Sequence, residues 1–142
     1  MSADGFFATS APELVDAVLS ALRSDETIQS VLGNPVRLFD DETRQPNYPY
    51  AVLERHESTD SSSSNHLSLE HQLQFATYSR HGGLREAKAI LGTLKHAVEH
   101  LSLSLTHQRI VLTIPTYCDV MRTQNQTVFR GLLRVRIHTE EI

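Results

Sequence analysis

Cysteine is nearly absent from this chain: Cys118 is the only one among 142 residues, so no intrachain disulfide can form. None is needed, because a chain of this length folds as one domain and buries about two thirds of the surface its unfolded form exposes. No apolar run approaches the ~20 residues of a membrane span, which excludes a helical membrane anchor. The start, Met1 to Phe7, has neither a basic leader nor an apolar core of the secretory type, so synthesis in the cytoplasm is the expectation. Lysine is scarce too. Only Lys88 and Lys95 carry an ammonium, and Lys+Arg total 13 against 17 Asp+Glu, a formal charge of −4. That deficit of positive charge argues against a general grip on nucleic-acid phosphates, although it permits a protein that surrounds DNA without holding it. Arginine supplies the remaining cations, and its planar fork suits defined carboxylate partners.

What is present is periodic. Residues 1–9 carry no period and read as a loose arm, with Phe6 and Phe7 available to tuck it against the body. Ser10-Ala11-Pro12-Glu13 has the form of a capping box opening a helix whose stripe is Leu14, Val18, Ala21 and Leu22. Ser24-Asp25 restarts a short second helical segment, which Gly33-Asn34-Pro35 ends. Val36–Phe39 is a short strand, followed by an acidic, proline-punctuated loop from Asp40 to Pro49. Tyr50–Glu57 is the next strand. The segment Ser58-Thr59-Asp60-Ser61-Ser62-Ser63-Ser64-Asn65 is the one low-complexity stretch, with too few apolar groups to offset its ordering entropy, so mobility is expected.

The sharpest transition in the chain lies further on. Leu67, Leu69, Leu73 and Phe75 alternate as a half-buried strand, whereas Leu84, Ala87, Leu91, Leu94, Val98 and Leu101 recur at three and four, as a helix requires. Gly82-Gly83 sits at the switch, where a strand turns into a helix only if some residue takes a positive φ at little cost. Residues 108–116 are apolar on both faces, which predicts a central strand. A turn at Thr123–Gln126 leads into Val128–His138, where Phe129, Leu133, Val135 and Ile137 share one face and Arg130, Arg134, Arg136 and His138 the other. The fold expected is α+β: two β-hairpins forming a mainly antiparallel sheet, bridged by one long helix, with the first helix packed on the sheet. Residues 10–142 form this single domain and residues 1–9 the arm.

No stretch carries a catalytic signature. His96 and His100 have the i, i+4 spacing that can present two imidazoles to a metal, yet they lie off the apolar seam, no glutamate follows His96, and no third ligand can be named. His56, His66 and His71 flank the serine run and could approach one another across a hairpin. The serines have no Gly-x-Ser-x-Gly elbow and no base, Cys118 reads as a buried inert thiol, and a lone Gly-Gly before a helix is a turn. No cofactor or metal is called for. Three guanidiniums on one strand face repel one another unless water or carboxylates attend them. Arg130, Arg134 and Arg136 therefore form either a solvated face or a contact in which they meet Asp40, Asp41 and Glu42 of a neighbouring copy. The serine run is either a plain hairpin tip or an assembly loop that orders on a partner.

Pro49-Tyr50-Ala51-Val52-Leu53 and Tyr78-Ser79-Arg80…Gly83…Glu86-Ala87-Lys88, in this order of elements over residues 12–138, resemble the small tail-completion proteins of long-tailed bacteriophages and gene transfer agents. The resemblance implies a structural protein and no enzyme. It implies a tail terminator or head-tail joining subunit, assembled as a ring, typically six-fold, on the tail tube, where it halts tube growth and presents a surface to the head-side connector. The implied partners are other copies of itself, the major tail tube protein and the connector or stopper protein, with DNA passing through the lumen unbound and no membrane involved. It would be made in the bacterial cytoplasm and built into the particle at the head-tail junction. A head-closure stopper or adaptor of the same connector is the alternative, followed by a small histidine-using ligand-binding or enzymatic domain.

Overall fold

A computed structural model describes residues 2–41, 46–125 and 127–142. The element order is α1 (Ala3–Arg23), α2 (Glu26–Leu32), β1 (Leu38–Phe39), β2 (Tyr50–Asp60), β3 (Ser68–Ser79), α3 (Gly83–Glu99), β4 (Gln108–Arg122) and β5 (Phe129–Glu141). The five strands form one sheet in the order β1-β2-β3-β5-β4, antiparallel except for the short β1–β2 pair. The α+β expectation holds: β2–β3 and β4–β5 are hairpins, and α3 bridges them. Joining the hairpins through β3 and β5 places those two strands at the centre of the sheet.

The helices cover one sheet face. Side chains on that face, among them Leu53, Leu73, Phe75, Leu133, Val135 and Ile137, pack with Leu14, Val18 and Leu22 of α1, Ile28 and Leu32 of α2, and Ile90, Leu91, Leu94 and Val98 of α3 in one cluster. Gly83 supplies the positive φ at the strand-to-helix switch, at +65°. Gly131 is required for a different reason. It faces α3 in β5, and a Cβ there would lie 2.2 Å from Thr77 Oγ1 and 3.3 Å from Leu91 Cδ1, so the helix can approach the sheet only over a bare backbone. Asp25 caps α2, accepting from Thr27 N at 2.8 Å and Ile28 N at 3.1 Å.

Three local expectations change. The arm is helical: α1 begins at Ala3, capped by the Ser2 side chain accepting from Gly5 N at 3.1 Å, and Phe6 is buried. The helix was hidden because Phe6, Ser10, Ala11 and Leu14 bury a face that mixes small, polar and aromatic groups, giving no readable stripe. Glu13, read as a capping-box partner, instead accepts from Thr106 N at 2.8 Å and Gln108 Nε2 at 3.0 Å, tying the middle of α1 to the start of β4. Finally, β4 is an edge strand and not a central one. It runs on to Arg122, bulges at Val111 and Thr116 where its register with β5 shifts, and keeps its apolar side chains at the sheet margin. Glu42 and residues 43–45 of the acidic loop, and Gln126 of the last turn, lie outside the described residues.

Candidate assembly surface

The sheet face turned away from the helices is built by alternation. Register places Glu70, Gln72, Gln74, Ala76 and Tyr78 of β3 opposite His138, Arg136, Arg134, Leu132 and Arg130 of β5, so the expected arginine face exists. Its cations are attended from within the chain. Arg130 Nη2 donates to Glu54 Oε1 at 2.6 Å and Arg130 Nε to Tyr78 Oη at 3.4 Å, bonds that hold its guanidinium more firmly protonated than usual. Arg134 Nε donates to Gln74 Oε1 at 2.9 Å and its guanidinium lies over the Tyr117 ring at 5.1 Å. Arg136 Nε is 3.5 Å from Glu70 Oε2, and His138 Nδ1 is 2.9 Å from Glu70 Oε1 without the alignment of a hydrogen bond.

Asp40 and Asp41 lie at the far corner of this face. With Tyr50, Val52, Leu53, Glu54 and Tyr78 they line an open groove of about 480 Å³. Tyr50 stacks on Tyr78 at 4.9 Å and meets the edge of Tyr48 at 5.4 Å, with Arg80 over the Tyr48 ring at 5.4 Å. The Pro49-Tyr50 and Tyr78-Ser79-Arg80 segments, far apart in sequence, therefore form one aromatic corner. Glu54, which sequence reading passed over, joins that corner to the arginine stripe because a bulge between Leu53 and Arg55 inserts it as an extra residue.

At the opposite margin, Leu112, Ile114, Tyr117 and Met121 of β4 pair with His138, Arg136, Arg134 and Arg130 and so lie on the same open face. Together with Val111 they are 37–50% exposed. The two-faced hydrophobic pattern of residues 108–116, read as a central strand, thus belongs to an edge strand with an exposed apolar margin. Cys118, on the helix-facing side of β4, is exposed and not buried as expected; partial desolvation raises its thiol pKa, which opposes thiolate reactivity.

The serine segment divides. Ser58, Thr59 and Asp60 belong to β2, while Ser61–Asn65 make the turn, with Ser61 Oγ 2.8 Å from Ser68 Oγ, Ser62 N donating to Asp60 Oδ1 at 2.9 Å and Ser63 Oγ donating to Asn65 Oδ1 at 3.2 Å. Strand pairing supplies the scaffold that composition hid. Two of the three flanking histidines meet: His56 and His71 stack at 5.6 Å, and Ser58 Oγ bridges them at 3.0 and 2.8 Å. His71 is fully buried and bonds Thr139 Oγ1 at 3.0 Å. Burial, then the neighbouring His56 and His138, push its pKa down to about 4, and burial lowers His56 as well. His66 turns away to Glu140, at 3.3 Å. On α3, His96 and His100 stack at 4.2 Å, and His100 Nδ1 is occupied by the His96 carbonyl at 2.8 Å. No group of three or more His, Cys, Asp or Glu among the described residues is arranged to hold a metal ion.

Fold and surface together define a structural class: one layer of helices on a sheet whose other face is left open, with its arginines attended from within the sheet and apolar side chains along one margin. Residues 16–140 match the family model described as Tail completion protein gp17, and the chain belongs to that family, which is a structural phage-tail family and not an enzyme family. A chain from a solved structure, "Virion of native gene transfer agent (GTA) particle", has the same fold with a TM-score of 0.81 at 22% identity, over 93% of this chain and 98% of that one. No curated protein sequence matches the chain.

Proposed function

We propose that this chain is the tail terminator: a subunit that closes into a ring, six-fold by resemblance, on the head-proximal end of the tail tube, stops its growth and offers a docking surface to the head-side connector. The observation that carries the reading is membership of the tail-completion family over residues 16–140. The fold shared with a component of a gene transfer agent virion supports incorporation into such a particle. Mechanism here is binding and symmetry. A head-to-tail contact whose rotation closes gives a ring, whereas one that does not close gives a fibre. DNA passes through the lumen without being gripped, consistent with a formal charge of −4.

In this reading the open sheet face, with Arg134 and Arg136 exposed on it, docks a particle partner, and the Ser61–Asn65 turn contacts that partner from the hairpin tip. Arg134→Glu then weakens assembly while changing fold stability by less than about 1 kcal/mol, because an exposed polar contact contributes little to folding. Deleting the gene tests the role itself. Abnormally long or headless tails are expected, and tails of normal length still joined to heads would rule out termination.

A further inference from the structure

We propose that a hollow in the middle of the open sheet face is a carboxylate socket, in which the guanidinium of Arg134 receives an Asp or Glu side chain from a particle protein other than this chain. This rests on the reading of that face as a docking surface and names what it grips. Arg55, Glu57, Gln72 and Gln74 line the hollow with Arg134, and its volume is about 290 Å³. The neighbouring guanidiniums are neutralised within the chain: Arg130 pairs with Glu54 at 2.6 Å, Arg136 with Glu70 at 3.5 Å, and Arg55 with Glu57. Arg134 differs. Across the sheet it faces a neutral amide, Gln74, and it forms no ion pair among the described residues.

Its orientation is set before any partner arrives. Arg134 Nε donates to Gln74 Oε1 at 2.9 Å, and that amide is itself turned by donating Nε2 to Glu54 Oε1 at 2.5 Å, which directs its oxygen to the arginine. The Tyr117 ring, with its centroid 5.1 Å from Arg134 Cζ, supports the guanidinium from one side. The two Nη groups are left over, with no acceptor among the described residues. Side by side in one plane, they form the fork that matches the two oxygens of a carboxylate. Because Gln74 and Tyr117 already hold that plane, little rotamer freedom is lost on binding.

Charge and position choose the occupant. Arg55 and Arg134 face the single carboxylate of Glu57 in the hollow, an excess of one positive charge that one Asp or Glu offsets. A nucleic-acid backbone fits worse, because Glu54, Glu57 and Glu70 surround Arg134 on the same face and repeated phosphates would meet them. Gln72, Gln74 and Arg134 stand on β3 and β5, the two central strands. Copies abutting side by side through their sheet margins would leave this hollow uncovered, whereas a different protein laid on the face reaches it.

The test uses tailed particles carrying the full chain. Arg134→Gln is expected to lower the yield of head-joined particles by about tenfold or more, the effect of removing hydrogen bonds to a charged group, with the thermal midpoint of the free chain unchanged. Arg134→Lys keeps the charge but loses the fork, and is expected to fall about as far. Full yield from Arg134→Lys would show that a point charge suffices and would overturn the socket; a lowered midpoint in Arg134→Gln would make the arginine a folding residue and do the same. Arg134→Gln particles that join heads normally yet leak DNA would transfer the site to phosphate, overturning the proposal as well. To identify the occupant, Gln72→Lys places an amine beside Arg134, and a carbodiimide then joins it to a carboxylate in contact. The expected product links this chain to a second particle protein at an Asp or Glu side chain, located by mass spectrometry. A link only to another copy of this chain, or complete particles with no interchain product, would overturn the proposal while sparing the terminator reading, which the deletion strain decides separately.

Discussion

Acid should loosen this protein well above the pH at which its carboxylates titrate, and His71 is the reason. The imidazole is fully buried at the tip-ward end of the helix-covered sheet face, wedged between Ser58 Oγ at 2.8 Å and Thr139 Oγ1 at 3.0 Å, with the His56 ring stacked beside it. Protonation would bury a charge with no carboxylate among its bonded partners and place it against a second imidazole, so the folded protein holds His71 neutral down to about pH 4, against 6.5 for the free group. Between those values the unfolded chain binds a proton that the folded chain refuses. Stability is therefore complete above about pH 6.5 and is lost as pH falls through the window, by about 3 kcal/mol in total. About 2 kcal/mol of that is gone by pH 5, equivalent to a fall in midpoint of about 6 °C for a chain of this size. His56, also lowered by burial, acts in the same direction.

The assay is urea or thermal unfolding at intervals from pH 7.5 to 4.5, paired with an NMR titration of the His71 ring. His71→Gln retains a donor and an acceptor for the two hydroxyls but cannot titrate. It is expected to lower stability at pH 7 while flattening the slope between pH 7 and 5. Glu13, Asp25 and Glu140, each held below the ordinary carboxylate range by hydrogen bonds that outweigh desolvation, lose their contribution only at more acid pH and leave this window clear. A His71 titration midpoint above about pH 6, or an unchanged slope in His71→Gln, would falsify the account.

Gly131→Ala should cost about 1–3 kcal/mol, read as a shifted urea midpoint, because the added methyl meets Thr77 Oγ1 and Leu91. The loss should shrink in a Thr77→Ala background, and an unmoved midpoint would mean that the helix and sheet have slack there. A double-mutant cycle of Arg130→Ala with Glu54→Ala should give a coupling of about 0.5–1 kcal/mol, since both partners are about three quarters covered; zero coupling would make the pair incidental. Backbone relaxation should find fast motion confined to residues 61–65 and rigid amides through Ser58–Asp60, which β2 holds; mobility beginning at Ser58 would contradict that strand pairing.

What could be read from the sequence followed the strength of its periods. The α3 stripe and the β3 and β5 alternations are long and bury one clean face, so type, order and the identity of the arginine face were legible. The start of α1 was not, because Phe6, Ser10 and Ala11 fill a shallow space that takes mixed chemistry, and the helix is held by tertiary bonds such as Gln108 Nε2 to Ser10 O at 2.7 Å. No local pattern encodes a partner 98 residues away. The extension of β2 through Ser58–Asp60 was missed for a related reason. Composition describes what a segment lacks, whereas Ser58–Asp60 acquire order from His71, Glu70 and Leu69 across the hairpin.

The reading of β4 as a central strand is the instructive error. Residues apolar on both faces suggested cover on both faces, whereas β4 stands at the sheet edge with one apolar face open. Within one copy, β5 fills one side of β4, α3 packs on one face, and the margin bearing Leu112, Ile114, Tyr117 and Met121 stays exposed. The arginines present the contrasting case: their charges suggested either a solvated face or an external acid, and Glu54, Gln74 and Glu70 of the same sheet attend them. Polar groups satisfied at home can stay exposed in the free chain, while apolar groups left bare supply the drive to associate. The two kinds of side chain on one open face therefore differ in what they leave to water: the arginine stripe has partners within its own sheet, whereas the β4 margin leaves apolar surface bare.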